Sequence, residues 1–158
     1  MIFVTVGTHV KFTRLVKHID LTAPEVKDKI IIQKGSTNYD PKNCESFQWS
    51  PSLDNYMNKA RLIISHGGLS CLEGLKKFNK PTIIVPRQYK YKEHINDHQV
   101  EFAEEIEKRY GVKIIYNISD LTPELLNSYR KIVKIDDKNL KRLQSYLKKI
   151  INFIDKAN

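Results

Sequence analysis

Apolar and polar residues alternate along this chain in blocks. Ile2 to Val6 is an apolar, β-branched run closed by Gly7, the pattern of a strand buried on both faces. Phe12, Leu15, Val16 and Ile19 then recur at helical spacing. Lys29 to Gln33 reads as a second short strand, and the polar stretch Gly35 to Asn43 as a loop. Glu45 to Trp49 is a third strand. Ser50-Pro51 resembles a helix start, with Ser as cap and Pro at the first helical position, for a helix through Leu53, Tyr56 and Met57 to Ala60.

The alternation continues. Arg61 to Ser65 predicts a strand, Leu69 to Phe78 a helix and Pro81 to Val85 another strand. Pro86 to Asn96 is a long basic, aromatic loop. Asp97 is placed to cap a helix through Val100, Phe102, Ala103 and Ile106 that stops before Gly111. Val112 to Tyr116 gives a last strand, and Thr122-Pro123-Glu124 opens a helix through Tyr129. Leu140, Leu143, Leu147, Ile150, Ile151 and Ile154 form one stripe with lysines opposite, predicting a closing amphipathic helix over about 137–157. Strands alternating with helices imply right-handed βαβ crossovers and a parallel sheet with helices on both faces. No internal repeat or linker divides the chain, so residues 1–158 are expected to form one domain. In such sheets ligands bind beyond the carboxyl ends of the strands, which singles out the loops after Val6, Ser65 and Val85.

Composition narrows the partners. The net charge is +9, from 27 Lys and Arg against 18 Asp and Glu. That excess suits an anionic ligand, although lysine-rich solubility accounts for it equally well. Cys44 and Cys71 do not make a disulfide framework, and Cys71 is expected to pack as a small apolar residue in a reduced, intracellular protein. No segment has the length and apolarity of a membrane span, and the opening MIFVTVGTH lacks the basic region of a signal peptide.

The loops carry the candidate chemistry. Gly7-Thr8 offers a close backbone approach and a hydroxyl, or simply a turn. In His66-Gly67-Gly68 the glycines let the N–H groups of a helix start face an anion, and Ser70 adds a hydroxyl. The spacing fits neither of the familiar phosphate fingerprints, GxxxxGK[ST] and GxGxxG. Glu73 can take vicinal hydroxyls such as a ribose, or it can close a capping box with Ser70. In the third loop Arg87 is placed to face a phosphate, while Glu93, Asn96 and Gln99 can bond sugar hydroxyls. His94 and His98 stand four apart, but no third ligand has clear spacing, so no metal is expected. There is no G-x-S-x-G elbow, and no nucleic-acid reader motif accompanies the Tyr89–Tyr91 lysines.

Three stretches together, VTVGTHVKFTRLVKHID (4–20), SHGGLSCLEGLKKFNKPTIIVPR (65–87) and EHINDHQ (93–99), resemble the donor-binding subunit of split GT-B glycosyltransferases. These are similar to the C-terminal half of glycosyltransferase family 28. The split forms include bacterial capsule and exopolysaccharide transferases and the dolichol-linked chitobiose transferase. The resemblance implies a Rossmann-like fold, one C-terminal-type half of GT-B, and an inverting transfer of a hexose from a UDP-sugar to a lipid-linked saccharide, with no cofactor or bound metal.

The resemblance also implies roles. Gly7, Thr8, His66, Gly67, Gly68 and Ser70 would hold the diphosphate and Glu73 the ribose. Glu93 and His94 would hold the donor sugar, with Asn96, His98 and Gln99 along the same edge; His94 departs from the family's glutamine. The acceptor site, and with it the usual catalytic base, would lie on a membrane-anchored partner that keeps this subunit at the cytoplasmic membrane face, His9 being the candidate base on this chain. The alternative is a nucleotide-sugar or polyanion binding module without activity of its own.

Overall fold

A computed structural model describes residues 1–135 and Ser145, apart from the side chains of Leu69, Ser70 and Glu73. Apart from Ser145, the helix expected over 137–157 therefore lies outside the described residues. The strands are β1 (Ile2–Thr5), β2 (Ile30–Gln33), β3 (Glu45–Phe47), β4 (Leu62–Ser65), β5 (Thr82–Ile84) and β6 (Lys113–Ile114). The helices are α1 (Thr13–Thr22), α2 (Asp54–Lys59), α3 (Leu69–Lys76), α4 (His98–Tyr110) and α5 (Pro123–Ser128), with single 3₁₀ turns at Ala23–Glu25, Tyr89–Tyr91 and Ile118–Asp120.

The strands form one six-stranded sheet in the order β3-β2-β1-β4-β5-β6. Every pairing is parallel. This is the expected α/β architecture. Successive residues of β1 explain why it needs cover on both sides. Ile2 and Val4 pack with Phe12, Leu15, Val16 and Ile19 of the α1 region, whereas Phe3 packs with Met57, Ala60 and Ile63 on the opposite face. There the Phe3 ring lies 5.3 Å from Tyr56, and Tyr56 lies 4.7 Å from Phe47. A further cluster joins α3 and α4 to the β5–β6 side through Cys71, Leu72, Leu75, Phe102 and Ile106. Cys71 is fully buried, as its expected apolar role requires, and burial pushes its thiol pKa up. Both cysteines are free.

One helix start and one helix cap differ from expectation. α2 begins at Asp54 rather than at Ser50-Pro51. The Ser50 hydroxyl donates to the Ser52 carbonyl at 2.8 Å, and the Ser52 hydroxyl accepts from the Asp54 N–H at 3.2 Å. These local turns compete successfully with a helix. Asp97 flanks α4 but makes no side-chain cap; its carboxylate accepts from the Tyr89 N–H at 2.8 Å and so closes the long loop. Two other signals hold. Thr122 caps α5 through the Leu125 N–H at 3.2 Å, and α4 stops at Gly111, whose N–H reaches the Glu107 carbonyl at 2.8 Å.

Candidate functional site

Strand order reverses between β1 and β4. β2 and β3 extend the sheet to one side of β1, and β4 to β6 extend it to the other. The two strands run in register, with Thr5 beside Ser65, so the loops that leave them emerge together at the carboxyl edge. Gly7 (φ +75°) and Gly67 (φ +86°) turn their chains with backbone angles that side-chain-bearing residues rarely adopt. α3 starts directly afterwards, at Leu69.

His66 occupies the space those glycines leave. A side chain on Gly7 would stand 3.1 Å from its Cε1, and one on Gly68 would overlap its Nε2. Its Nδ1 faces the Thr5 carbonyl at 3.4 Å. A carbonyl only accepts, so Nδ1 carries the proton. Burial, helped by the charge of Arg87, pushes the His66 pKa down to about 3. His66 is thus a neutral spacer between two backbone turns. Positive charge for an anion at this edge comes from the start of α3 rather than from the imidazole.

A neighbouring hollow of about 200 Å³ is lined by Thr5, Gly7, Thr8, Gln33, Trp49, Ser50 and Leu53. Gln33 ties its floor together. It accepts from the Thr5 hydroxyl at 2.8 Å and donates to the carbonyls of Gly7 at 3.0 Å and Gln48 at 3.1 Å. Trp49 stands at the rim, 65% exposed. Sequence reading passed over both. A glutamine ending an apolar strand and a lone tryptophan closing the next expected strand were the available signals.

The third loop is organised from within. Arg87 was expected to face a phosphate, but it is buried, and its guanidinium donates to the carbonyls of Val6 and, at 2.7 Å, Val10. Burial lowers its pKa to about 10, against the opposing influence of Glu93. The Gln99 side chain accepts from the Arg87 N–H at 3.2 Å. Glu93 was expected to reach sugar hydroxyls. Instead, Arg14 of α1 grips both its oxygens, at 2.7 and 2.8 Å, and the Gln88 N–H donates to it at 3.1 Å. Arg14 also donates to the Pro86 carbonyl at 3.1 Å and lies 4.6 Å from the Tyr91 ring centre.

The remaining predicted residues divide. The His94 and His98 rings meet edge to face, 4.4 Å apart. Burial lowers both pKa values, His98 to about 4, with their neighbours' charges adding to the effect. Asn96 accepts from the His98 backbone N–H at 3.3 Å and contacts its Nδ1. The His94 Nδ1 is buried without a hydrogen-bond partner. His9 is exposed on the β1–α1 loop. Among the described residues no three His, Cys, Asp or Glu side chains converge to hold a metal ion, and no helix is long and apolar enough to cross a membrane.

The family model described as glycosyltransferase family 28 C-terminal domain matches residues 1–157. The chain is 35% identical over 123 residues to the human UDP-N-acetylglucosamine transferase subunit ALG13, covering 68% of this chain and 10% of that protein. Against the mouse protein of the same name it is 32% identical over 120 residues, covering 67% of this chain and 10% of that one. The chain therefore spans about a tenth of the length of these curated relatives. Among solved structures, CalG4, the calicheamicin glycosyltransferase, superposes with a TM-score of 0.54 at 14% identity over 95% of this chain and 39% of that one. The glycotransferase of kitacinnamycin gives 0.52 at 20% identity over 92% of this chain and 38% of that one. These two likenesses establish the fold.

Proposed function

Because the chain belongs to the glycosyltransferase family 28 C-terminal domain family, we propose that it is the donor-binding subunit of an inverting transferase. It moves a hexose from a UDP-sugar to a lipid-linked saccharide, in polysaccharide or glycan biosynthesis. The observation that carries this reading is the meeting of Gly7-Thr8 with His66-Gly67-Gly68 at the strand-order reversal, directly before α3. A diphosphate laid there meets backbone N–H groups and the positive end of the helix. Uracil stacks on Trp49 beside the small hollow, and Glu73 receives the ribose hydroxyls.

The chemistry follows from that placement. The acceptor hydroxyl attacks the anomeric carbon from the face opposite the diphosphate. The carbon–oxygen bond to UDP breaks, its electron pair leaves on the β-phosphate, and the hydroxyl proton passes to a base. The helix start stabilises the charge growing on the departing UDP. Arg87 serves indirectly, by pinning the Gly7–Val10 turn. His94, with its unpaired Nδ1, faces the sugar. The base is His9 or a group of a membrane-anchored, acceptor-binding partner, which holds this subunit at the cytoplasmic face.

Glu73→Ala tests the reading. Titration calorimetry should show weakened UDP binding at an unchanged melting temperature. A variant that melts early yet binds UDP as the parent does would make Glu73 a helix cap only.

A further inference from the structure

β2 ends between two loops of the candidate site. The order β3-β2-β1 puts it there. Gly7-Thr8 leaves the sheet on the β1 side, and Gln48-Trp49 leaves it on the β3 side. The chain from Gln33 to Ser36 bonds to both. The Ser36 N–H donates to the Thr8 carbonyl at 3.1 Å. The N–H groups of Lys34 and Gly35 donate to the carbonyls of Phe47 at 2.8 Å and Gln48 at 3.1 Å. The Gln33 side chain joins the two sides directly, because its Nε2 donates to the Gly7 carbonyl at 3.0 Å and to the Gln48 carbonyl at 3.1 Å.

This bridge has little slack. Gln33 is 3% exposed and Thr5 1%. The Thr5 hydroxyl donates to the Gln33 Oε1 at 2.8 Å. That bond occupies the amide oxygen and so turns both N–H donors toward the carbonyls. A side chain on Gly35 (φ +53°) would overlap the Gly7 carbonyl oxygen, so the two turns are already in contact. Parallel pairing of β2 with β1 and β3 uses backbone groups. An apolar residue would therefore serve the strand as well as glutamine does. What the amide adds is a fixed separation between the Gly7 turn and the Gln48-Trp49 turn.

We propose that Gln33 is a positioning residue for the donor: it sets the distance between the diphosphate loop and the base platform at Trp49, so that one nucleoside diphosphate spans both. It acts through the Gly7 and Gln48 carbonyls rather than on the ligand itself. This deepens the donor-binding reading and rests on it. Two subsites held at the right span favour a ligand that carries both halves in one molecule, while each half alone gains nothing from the spacing.

Gln33→Met keeps the side chain's length and removes both donors. The test is calorimetric titration of the full chain with UDP, with uridine and with pyrophosphate, while the fluorescence of Trp49, the single tryptophan of the chain, reports on the base. UDP should bind the variant about tenfold or more weakly, whereas uridine and pyrophosphate should each bind it as they bind the parent. Thr5→Val fills the same space but frees the amide to turn. It should show the same pattern, and it carries the test if Gln33→Met does not fold. UDP bound by the variants as by the parent overturns the proposal. So does a loss shared equally by UDP and both fragments, which would make Gln33 a residue of the fold alone. Failure of the donor-binding reading looks different: the parent itself then binds no UDP, and the positioning role falls with it.

Discussion

Arg14 and Glu93 are 79 residues apart in the chain, yet the guanidinium of one clasps both oxygens of the other's carboxylate, at 2.7 and 2.8 Å. The two side chains are 15% and 8% exposed. The pair fastens the loop after β5 to the helix after β1, and so sets how two walls of the candidate site stand to each other.

Removing one partner leaves the other charged and half-dry. Glu93→Gln or Arg14→Gln should each cost about 1–3 kcal/mol in chemical denaturation, whereas the double variant should cost less than the sum of the two. Additive losses would mean that the contact is incidental.

The glycine beside His66 has a steric reason to be there. A methyl group on Gly68 would overlap the imidazole, which has no room to retreat because Gly7 closes the other side. Gly68→Ala should therefore displace the ring, lower stability by about 1–3 kcal/mol and weaken UDP binding. Normal stability and binding in this variant would show that the turn tolerates a side chain.

Acid should destabilise the fold through its histidines. Burial lowers His66 to about 3 and His98 to about 4, and it lowers His94 as well. The folded state thus keeps them neutral while the unfolded chain, titrating near pH 6.5, takes up protons. Their contribution is fully present above that pH and is lost as pH falls toward the folded values. For His66 alone the slope approaches about 1.4 kcal/mol per pH unit. Melting temperatures measured from pH 7 to 4 should fall, and His66→Asn should flatten the decline. A parallel decline in that variant would absolve His66.

Trp49 is more than half exposed and contributes little to the core. Trp49→Ala should leave the melting temperature within error and weaken UDP binding by about 1–3 kcal/mol, the worth of stacking one base. Unchanged affinity would move the base away from the small hollow.

The sheet was legible because each strand is an apolar run and each helix carries a periodic stripe, so the alternation forces parallel pairing. The start of α2 and the side-chain cap of α4 were misread where short polar side chains had better partners nearby: Ser52 on the Asp54 N–H and Asp97 on the Tyr89 N–H. The Gly7 and His66-Gly67-Gly68 loops were legible as loops, because glycine after a strand has few other uses. Arg14 was not. It reads as one polar position on an amphipathic helix, and its partner lies 79 residues away. Arg87 and Glu93 were read as free charges because a sequence does not show which charges fold inward to meet one another.

Donor binding as proposed requires a uridine diphosphate to lie across the β1 and β4 loops. A crystal structure of the full chain grown with saturating UDP tests it most directly. The diphosphate should lie against Gly7-Thr8 and Gly67-Gly68 at the start of α3, with uracil at Trp49. Nucleotide ordered in the groove between Tyr89 and Ile95, or no nucleotide at the carboxyl edge at all, would contradict it.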